Sequence, residues 1–147
     1  MDNEQRFPQI LQTVLDCSNI RELAEFYRQL FGLQYRPGDE PPPAGSSKED
    51  GADWIVLRDS SGANRIAFQK TDEFREPTWP GNAVPQQIHL DTIVPTIEDL
   101  NLQHERAIAL GGRLLFDRSD NHEEPLRVYA DPEGHPFCIF VAAPHPH

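Results

Sequence analysis

The chain repeats one order of elements twice, and this duplication limits the fold more than any other feature. A loosely alternating run, Ile10–Asp16, precedes a helix-like segment that begins after Asn19. The same order returns from 87–94 onward. The turn signal DSSG at 59–62 recurs as DPEG at 131–134. Each half therefore predicts one strand, one helix and three further strands.

The dipeptide Leu-Asp marks the end of each predicted first strand, at Leu15-Asp16 and again at Leu90-Asp91. We use it to align the two halves, and we expect both aspartates to support turns that lead into the helices. One unit of this size buries its sheet face poorly. Two units placed side by side share a core and leave a cleft, because alternate strand positions converge from both halves.

The duplication predicts an α+β fold, in which two tandem βαβββ modules form a curved mixed sheet with a central cleft and helices outside. The first module spans about residues 9–70 and the second about 86–141. Between them, 71–85 is rich in proline and lacks periodicity, so it reads as a connector. A length of 147 residues suits one domain, so we take 1–147 as a single domain.

Charge and composition exclude several classes of protein. The formal net charge of −11 argues against nucleic-acid binding, which needs clustered Lys and Arg. It favours a cationic partner or none, and the alternative is that the charge serves solubility alone. No apolar run approaches the roughly 20 residues of a membrane span. The first residues lack a secretory pattern, and only two cysteines are present. We therefore expect a cytoplasmic protein with reduced thiols and no membrane partner.

Three stretches carry a resemblance to a known family: VLDCSNIRELAEFYRQLFGLQY, IHLDTIV, and ALGGRLL followed by YADPEGHPFCIF. They run from about Ile10 to Val141 and resemble the vicinal oxygen chelate superfamily. That superfamily includes glyoxalase I, bleomycin-resistance proteins, extradiol dioxygenases and fosfomycin-resistance enzymes. The stretches are most similar to its glyoxalase-like branch. The resemblance implies the two-module fold, a small-molecule ligand and a homodimer.

The resemblance also implies four metal positions, on the first and last strands of each module. They fall on Gln12, on Ala67 (or Gln69 if the strands pair differently), on His89 and on Cys138. Only His89 is a usual ligand at its own position, since an amide binds weakly and alanine cannot bind. We therefore expect no complete metal site and no cofactor. If Zn, Ni, Mn or Fe binds, its ligands would be His89, Cys138 and Gln12.

A ligand site is predicted from cleft-facing residues and from aromatic residues near the loops. His89 is the candidate catalytic residue, and by position it is the one base available to a Cys138 thiol. Trp54, Phe68 and Trp79 could stack on a flat or cationic ligand. The alternative is that Trp54 and Phe68 belong to the core and Trp79 covers the seam. The predicted ligand-binding set is Gln12, Trp54, Phe68, Gln69, Trp79, His89 and Cys138.

Three functions remain open from the sequence. The favoured one is a metal-free small-molecule-binding protein, such as one that sequesters a drug. The alternative is a divalent-metal-dependent lyase, isomerase or dioxygenase. The third is a metal-free enzyme that uses Gln12, Gln69 and His89. In the last hairpin, we expect His135 at the cleft rim and Cys138 as a small buried hydrophobe.

Overall fold

The computed structural model describes residues 7–46 and 50–142. Each module consists of one helix and four strands. The first module contains β1 (Thr13–Cys17), α1 (Ile20–Phe31), β2 (Gln34–Tyr35), β3 (Trp54–Arg58) and β4 (Asn64–Lys70). The second contains β5 (Leu90–Val94), α2 (Ile97–Leu110), β6 (Arg113–Asp117), β7 (Leu126–Ala130) and β8 (Pro136–Val141).

The strands form two four-stranded mixed sheets with the same internal order. One sheet runs β1-β4-β3-β2 and the other β5-β8-β7-β6. In each, the first strand of the module lies parallel to the last, and the other neighbours are antiparallel. The predicted α+β class and the two βαβββ modules are confirmed. Neither helix in the described part of the chain is long and apolar enough to cross a membrane.

The two modules can be aligned by the first residue of their first strand and by their helix cap. The number of residues from Thr13 to Asn19 equals the number from Leu90 to Thr96. On that basis Asp91 corresponds to Val14, and Asp16 corresponds to Ile93. The predicted alignment of the two Leu-Asp dipeptides is therefore wrong, because the second dipeptide lies further from its helix than the first. Both aspartates also lie within strands, not in turns, and this changes what Asp91 can do.

Helix α1 holds the modules together because its buried side meets both sheets. The side chain of Asn19 caps its first turn. Tyr27 stacks on Phe68 of the first sheet, with 5.9 Å between ring centroids. Phe26 lies 5.9 Å from Phe137 of the second sheet. The shared core thus lies on the helix side of both sheets, and the opposite face of each, here called the open face, is left for function.

A buried polar cluster joins the turn before β8 to the first module. Asp131 is fully buried and accepts a hydrogen bond from the Tyr27 hydroxyl at 2.6 Å. The same carboxylate lies 2.8 Å from Nδ1 of His135. The other ring nitrogen of His135 lies 2.7 Å from the carbonyl oxygen of Asp16. Both ring nitrogens of His135 face hydrogen-bond acceptors, so both hydrogen bonds form when the imidazole carries a proton on each nitrogen.

The ionisation of His135 follows from this cluster. Burial lowers its pKa, but the hydrogen bond to Asp131 and the charge of that carboxylate outweigh burial, so the pKa is raised overall. His135 is only 8% exposed. The prediction that it lies at the cleft rim is therefore wrong. His135 is buried because of tertiary contacts: the Tyr27 hydroxyl and the Asp16 carbonyl of the first module form hydrogen bonds with Asp131 and His135.

Candidate functional site

Three side chains that can bind a metal converge on the open face of the second module. Asp91 in β5 lies directly opposite Cys138 in β8, and His89 precedes β5. Their donor atoms all lie within 4.8 Å of one another. Nε2 of His89 is 3.3 Å from Oδ1 of Asp91. Residues 7–46 and 50–142 contain one such group of three or more. We call these residues the second-module triad.

The triad is open to solvent at one end and partly buried at the other. The side chains of His89 and Asp91 are 46% and 59% exposed, whereas Cys138 is half-buried. Burial raises the pKa of the Cys138 thiol to about 11, and the charge of Asp91 and a hydrogen bond to it act in the same direction. Without a metal the thiol therefore stays protonated at neutral pH. This disfavours Cys138 as a thiolate nucleophile.

Two of the three corresponding positions in the first module carry apolar side chains, and the third carries an amide. Asp91 and Cys138 are neighbours in the second sheet, and the corresponding neighbours in the first sheet are Val14 and Ala67. Gln12 takes the position of His89, and its side-chain oxygen accepts a hydrogen bond from Asn64 at 2.9 Å. The side chains of Val14 and Ala67 are apolar and cannot bind an ion. The donor set therefore does not fit a metal held between the two modules.

A cavity of about 590 Å³ lies between the open face of the first module and the segment that links the modules. Asp16 and Gln69 come from the first sheet, and Glu73, Phe74 and Arg75 come from the linking segment. We call this cavity the connector pocket. Its remaining lining is Val14, Leu15, Thr71, Pro77, Val84, Pro85, Gln87, Ile88 and His135.

The connector pocket combines acidic, aromatic and aliphatic groups. No ion pair links Asp16, Glu73 or Arg75 to another described residue. The charge of His135 is matched by Asp131. Two carboxylates against one guanidinium leave the lining net acidic. Such a lining suits a ligand with a cationic group and an apolar body.

The other predicted ligand residues are scattered. Trp54 lies opposite Gln69 in the sheet and is 38% exposed, so it borders the open face of the first module. Trp79 lies 6.3 Å from the ring of Phe116, beside the second module. Gln12 lines a different cavity of about 620 Å³ between the modules. The structure thus brings His89 and Cys138 together and separates Gln12 and Trp79 from Gln69.

Phe68 does not belong to the site. It is fully buried and stacks on Tyr27, on the helix side of its sheet. Successive strand residues point to opposite faces, so Gln69 reaches the open face and Phe68 cannot. The prediction that Phe68 contacts a ligand is wrong for this reason, and the alternative that it is a core residue holds.

Asp91 is a candidate site residue that sequence reasoning misses. A signal for it exists, because His89 and Asp91 are two residues apart and a strand places such a pair on one face. Glu73, Phe74 and Arg75 have no comparable signal. They lie in an aperiodic segment, and only its path over the first sheet makes them part of a pocket.

A family model described as a glyoxalase-like domain matches residues 12–140. The chain belongs to the glyoxalase-like domain family. The predicted resemblance to the vicinal oxygen chelate superfamily is thereby confirmed. No curated protein matches this glyoxalase-like chain in sequence.

Solved structures with the same fold share little sequence with the chain. A glyoxalase/bleomycin resistance protein/dioxygenase family enzyme from Burkholderia phytofirmans PsJN is 20% identical, with a TM-score of 0.64 over 89% of this chain and 96% of its own. The fosfomycin resistance protein FosX from Listeria monocytogenes is 14% identical, with a TM-score of 0.64 over 93% and 95%. A point mutant of that FosX, complexed with Mn(II) and 1S,2S-dihydroxypropylphosphonic acid, is 16% identical, with a TM-score of 0.62 over 90% and 89%. At these identities the likeness establishes the fold alone.

Proposed function

We propose that this glyoxalase-like protein binds a small organic cation with an apolar or aromatic body, and that it does so without a metal. The observation that carries the proposal is the connector pocket, whose volume of about 590 Å³ suits a drug-sized molecule. The absence of donors at Val14 and Ala67 supports a binding mode that does not depend on an ion between the modules. A cytoplasmic location and a homodimer stay predictions.

Each part of the ligand has a counterpart in the pocket. Asp16 and Glu73 would attract the cationic group, and the net charge of −11 adds a long-range attraction. Phe74 would pack on the apolar body. Gln69 would accept or donate a hydrogen bond, and Trp54 beside it would report binding through its fluorescence. Of the predicted ligand residues, Gln69 and Trp54 are therefore kept here.

The test is a fluorescence and calorimetric titration with aromatic ammonium compounds, each paired with its neutral isostere. We expect saturable binding of the cation, weaker binding of the isostere and a loss of affinity with added salt. Asp16→Asn and Glu73→Gln should each weaken binding by about tenfold, on the scale of one charge contact of about 1–2 kcal/mol. Asp120→Asn, an exposed carboxylate outside the pocket, is the matched control. Equal affinity for cation and isostere, or equal effects of Asp16→Asn and Asp120→Asn, would contradict the proposal.

The second candidate is a divalent-metal-dependent lyase, isomerase or dioxygenase. The observation that favours it is the second-module triad. His89, a member of the triad, remains the candidate catalytic residue. A structural neighbour, FosX, carries Mn(II) in its complex. Its test is metal analysis of protein purified without chelators. Absence of stoichiometric metal after exposure to Zn, Ni, Mn and Fe would exclude it, and a His89→Ala variant that still binds the organic cation would separate the two functions.

A further inference from the structure

We propose that His135 is a positioning residue of the connector pocket and that its charge opposes the binding of an organic cation there. Loss of the imidazole proton therefore raises the affinity of the pocket for the cation. The protonation state of one buried histidine thereby sets how tightly the pocket binds. Since the pocket and the class of ligand are those of the proposed function, the inference rests on it.

His135 contacts the three parts of the protein that meet at the connector pocket. Its ring centroid lies 5.2 Å from that of Phe74 in the linking segment. Its Nε2 lies 2.7 Å from the carbonyl oxygen of Asp16 in the first sheet. Its Nδ1 lies 2.8 Å from the carboxylate of Asp131 in the second module. The imidazole therefore contacts both Asp16 and Phe74, the residues proposed to attract the charge and to pack on the apolar body of the ligand.

The two hydrogen bonds of His135 do not both survive the loss of a proton. A neutral imidazole carries one N–H, and the charged carboxylate of Asp131 binds it more strongly than a carbonyl does. Nε2 then presents a lone pair to the Asp16 carbonyl oxygen, and two acceptors 2.7 Å apart repel each other. The contact that fixes Asp16 against His135 is therefore lost in the neutral state.

The charges beside the pocket determine the sign of the effect. The protonated ring pairs with Asp131, so the two together carry no net charge. Asp131 also accepts hydrogen bonds from the Tyr27 hydroxyl and the backbone N–H of Glu133, and these persist when His135 is neutral. Loss of the imidazole proton therefore leaves one unmatched negative charge beside the pocket. That charge attracts a cation and has little effect on a neutral molecule.

Other ionisable groups surround His135, and a variant separates their effect from that of the imidazole. Burial raises the pKa of Cys17 to about 12 and raises that of Tyr27 well above its usual value, so both stay protonated in the neutral range. His135→Gln keeps all of these groups, so the difference between its pH profile and that of wild type isolates His135. The groups are Asp16 and Cys17 of β1, Tyr27 of α1, Glu73, Arg75 and Glu76 of the linking segment, and Asp131 and Glu133 of the turn before β8.

The experiment measures the affinity of the full-length protein for benzyltrimethylammonium, whose quaternary nitrogen carries no proton. Calorimetry runs from about pH 6 to about pH 9, where a histidine with a raised pKa titrates. We expect the affinity of wild type to rise by about three- to tenfold, on the scale of two unit charges several ångström apart near a surface. The profile of His135→Gln should be flatter. His104→Gln is the matched control, because that ring contacts the Tyr129 hydroxyl outside the pocket, and it should keep the wild-type profile.

A second measurement needs no variant and keeps the test decisive should His135→Gln fail to fold. Because linkage is reciprocal, the bound cation lowers the pKa of His135 and releases protons. The apparent heat of binding should therefore differ between phosphate and Tris buffers, and the midpoint of the His135 titration in NMR should move to lower pH.

The outcomes separate this inference from the proposed function. Cation affinity that does not change with pH, a pH dependence that His135→Gln retains in full, an unmoved His135 midpoint, or an equal pH response of the neutral isostere neopentylbenzene would each overturn the inference alone. Absence of cation binding at every pH would contradict the proposed function, and the linkage with it.

Discussion

Replacing Tyr27 by Phe tests whether the buried cluster at Asp131 stabilises the junction between the modules. The change deletes one hydroxyl and keeps the aromatic ring in its contacts with Phe26 and Phe68. That hydroxyl donates a 2.6 Å hydrogen bond to Asp131, and both residues are 0% exposed. The loss is therefore confined to one charge-assisted bond in a dry environment.

The expected cost can be worked from these contacts. A hydrogen bond to a charged group contributes about 1.5–3 kcal/mol, and water cannot replace the missing donor here. For a chain of this size each kcal/mol lowers the melting temperature by about 2–4 °C, so Tyr27→Phe should lower it by about 3–12 °C. Urea unfolding followed by circular dichroism measures the free energy directly.

Tyr35→Phe is the matched control. Its hydroxyl also donates to a carboxylate, that of Glu25 at 2.8 Å, but the Glu25 side chain is 37% exposed. Solvent compensates for the loss there, so we expect a cost below about 1 kcal/mol. If the two variants lose the same free energy, burial of Asp131 does not strengthen its bond to Tyr27, and the reasoning about the junction fails.

Three further outcomes are expected. The pKa of His135 is raised in the folded state, so its protonation stabilises the fold fully below the unfolded pKa of about 6.5 and less as pH rises through the folded pKa. Over that pH range the unfolding free energy of wild type should therefore fall more than that of His135→Gln. Parallel pH profiles of the two proteins would refute this. Phe68→Ala should cost about 3–5 kcal/mol in calorimetry, whereas Trp54→Ala should cost under about 1.5 kcal/mol, and similar losses would contradict the assignment of Phe68 to the core. Asn19→Ala removes a helix cap and should lower the free energy of unfolding in urea by about 0.5–2 kcal/mol. Asn101→Ala, on the exposed side of α2, should be neutral or slightly stabilising. A loss at Asn19 no larger than that at Asn101 would argue against the capping role of Asn19.

The fold was predictable because its signals are local. Asn19 and Thr96 cap helices by hydrogen bonds to residues three positions along, and DSSG and DPEG form turns whose bonds close within five residues. Their order along the chain then permits few arrangements of the strands. The error in aligning the two halves arose where the signal was weakest, in a repeat of only two residues, Leu15-Asp16 and Leu90-Asp91.

The site was predictable only in part, because its members meet through pairing between strands. His89 and Cys138 could be assigned from the resemblance to a known family. Asp91 could not be placed beside Cys138 until the register of β5 against β8 was known. A shift of one residue would have moved the whole row to the other face.

The sequence by itself determined the two modules, their helix caps and turns, and the presence of Gln12 and Ala67 at two positions that the resemblance assigns to metal ligands. These depend on residue types and on spacings of a few positions. The tertiary structure decided that His135 is buried, that Asp91 completes a group of three donors, and that the linking segment covers a pocket above Asp16. Each of these features depends on contacts between residues far apart in the chain. Strand pairing and the packing of the two sheets around α1 set the distances between those residues, and local backbone preferences do not.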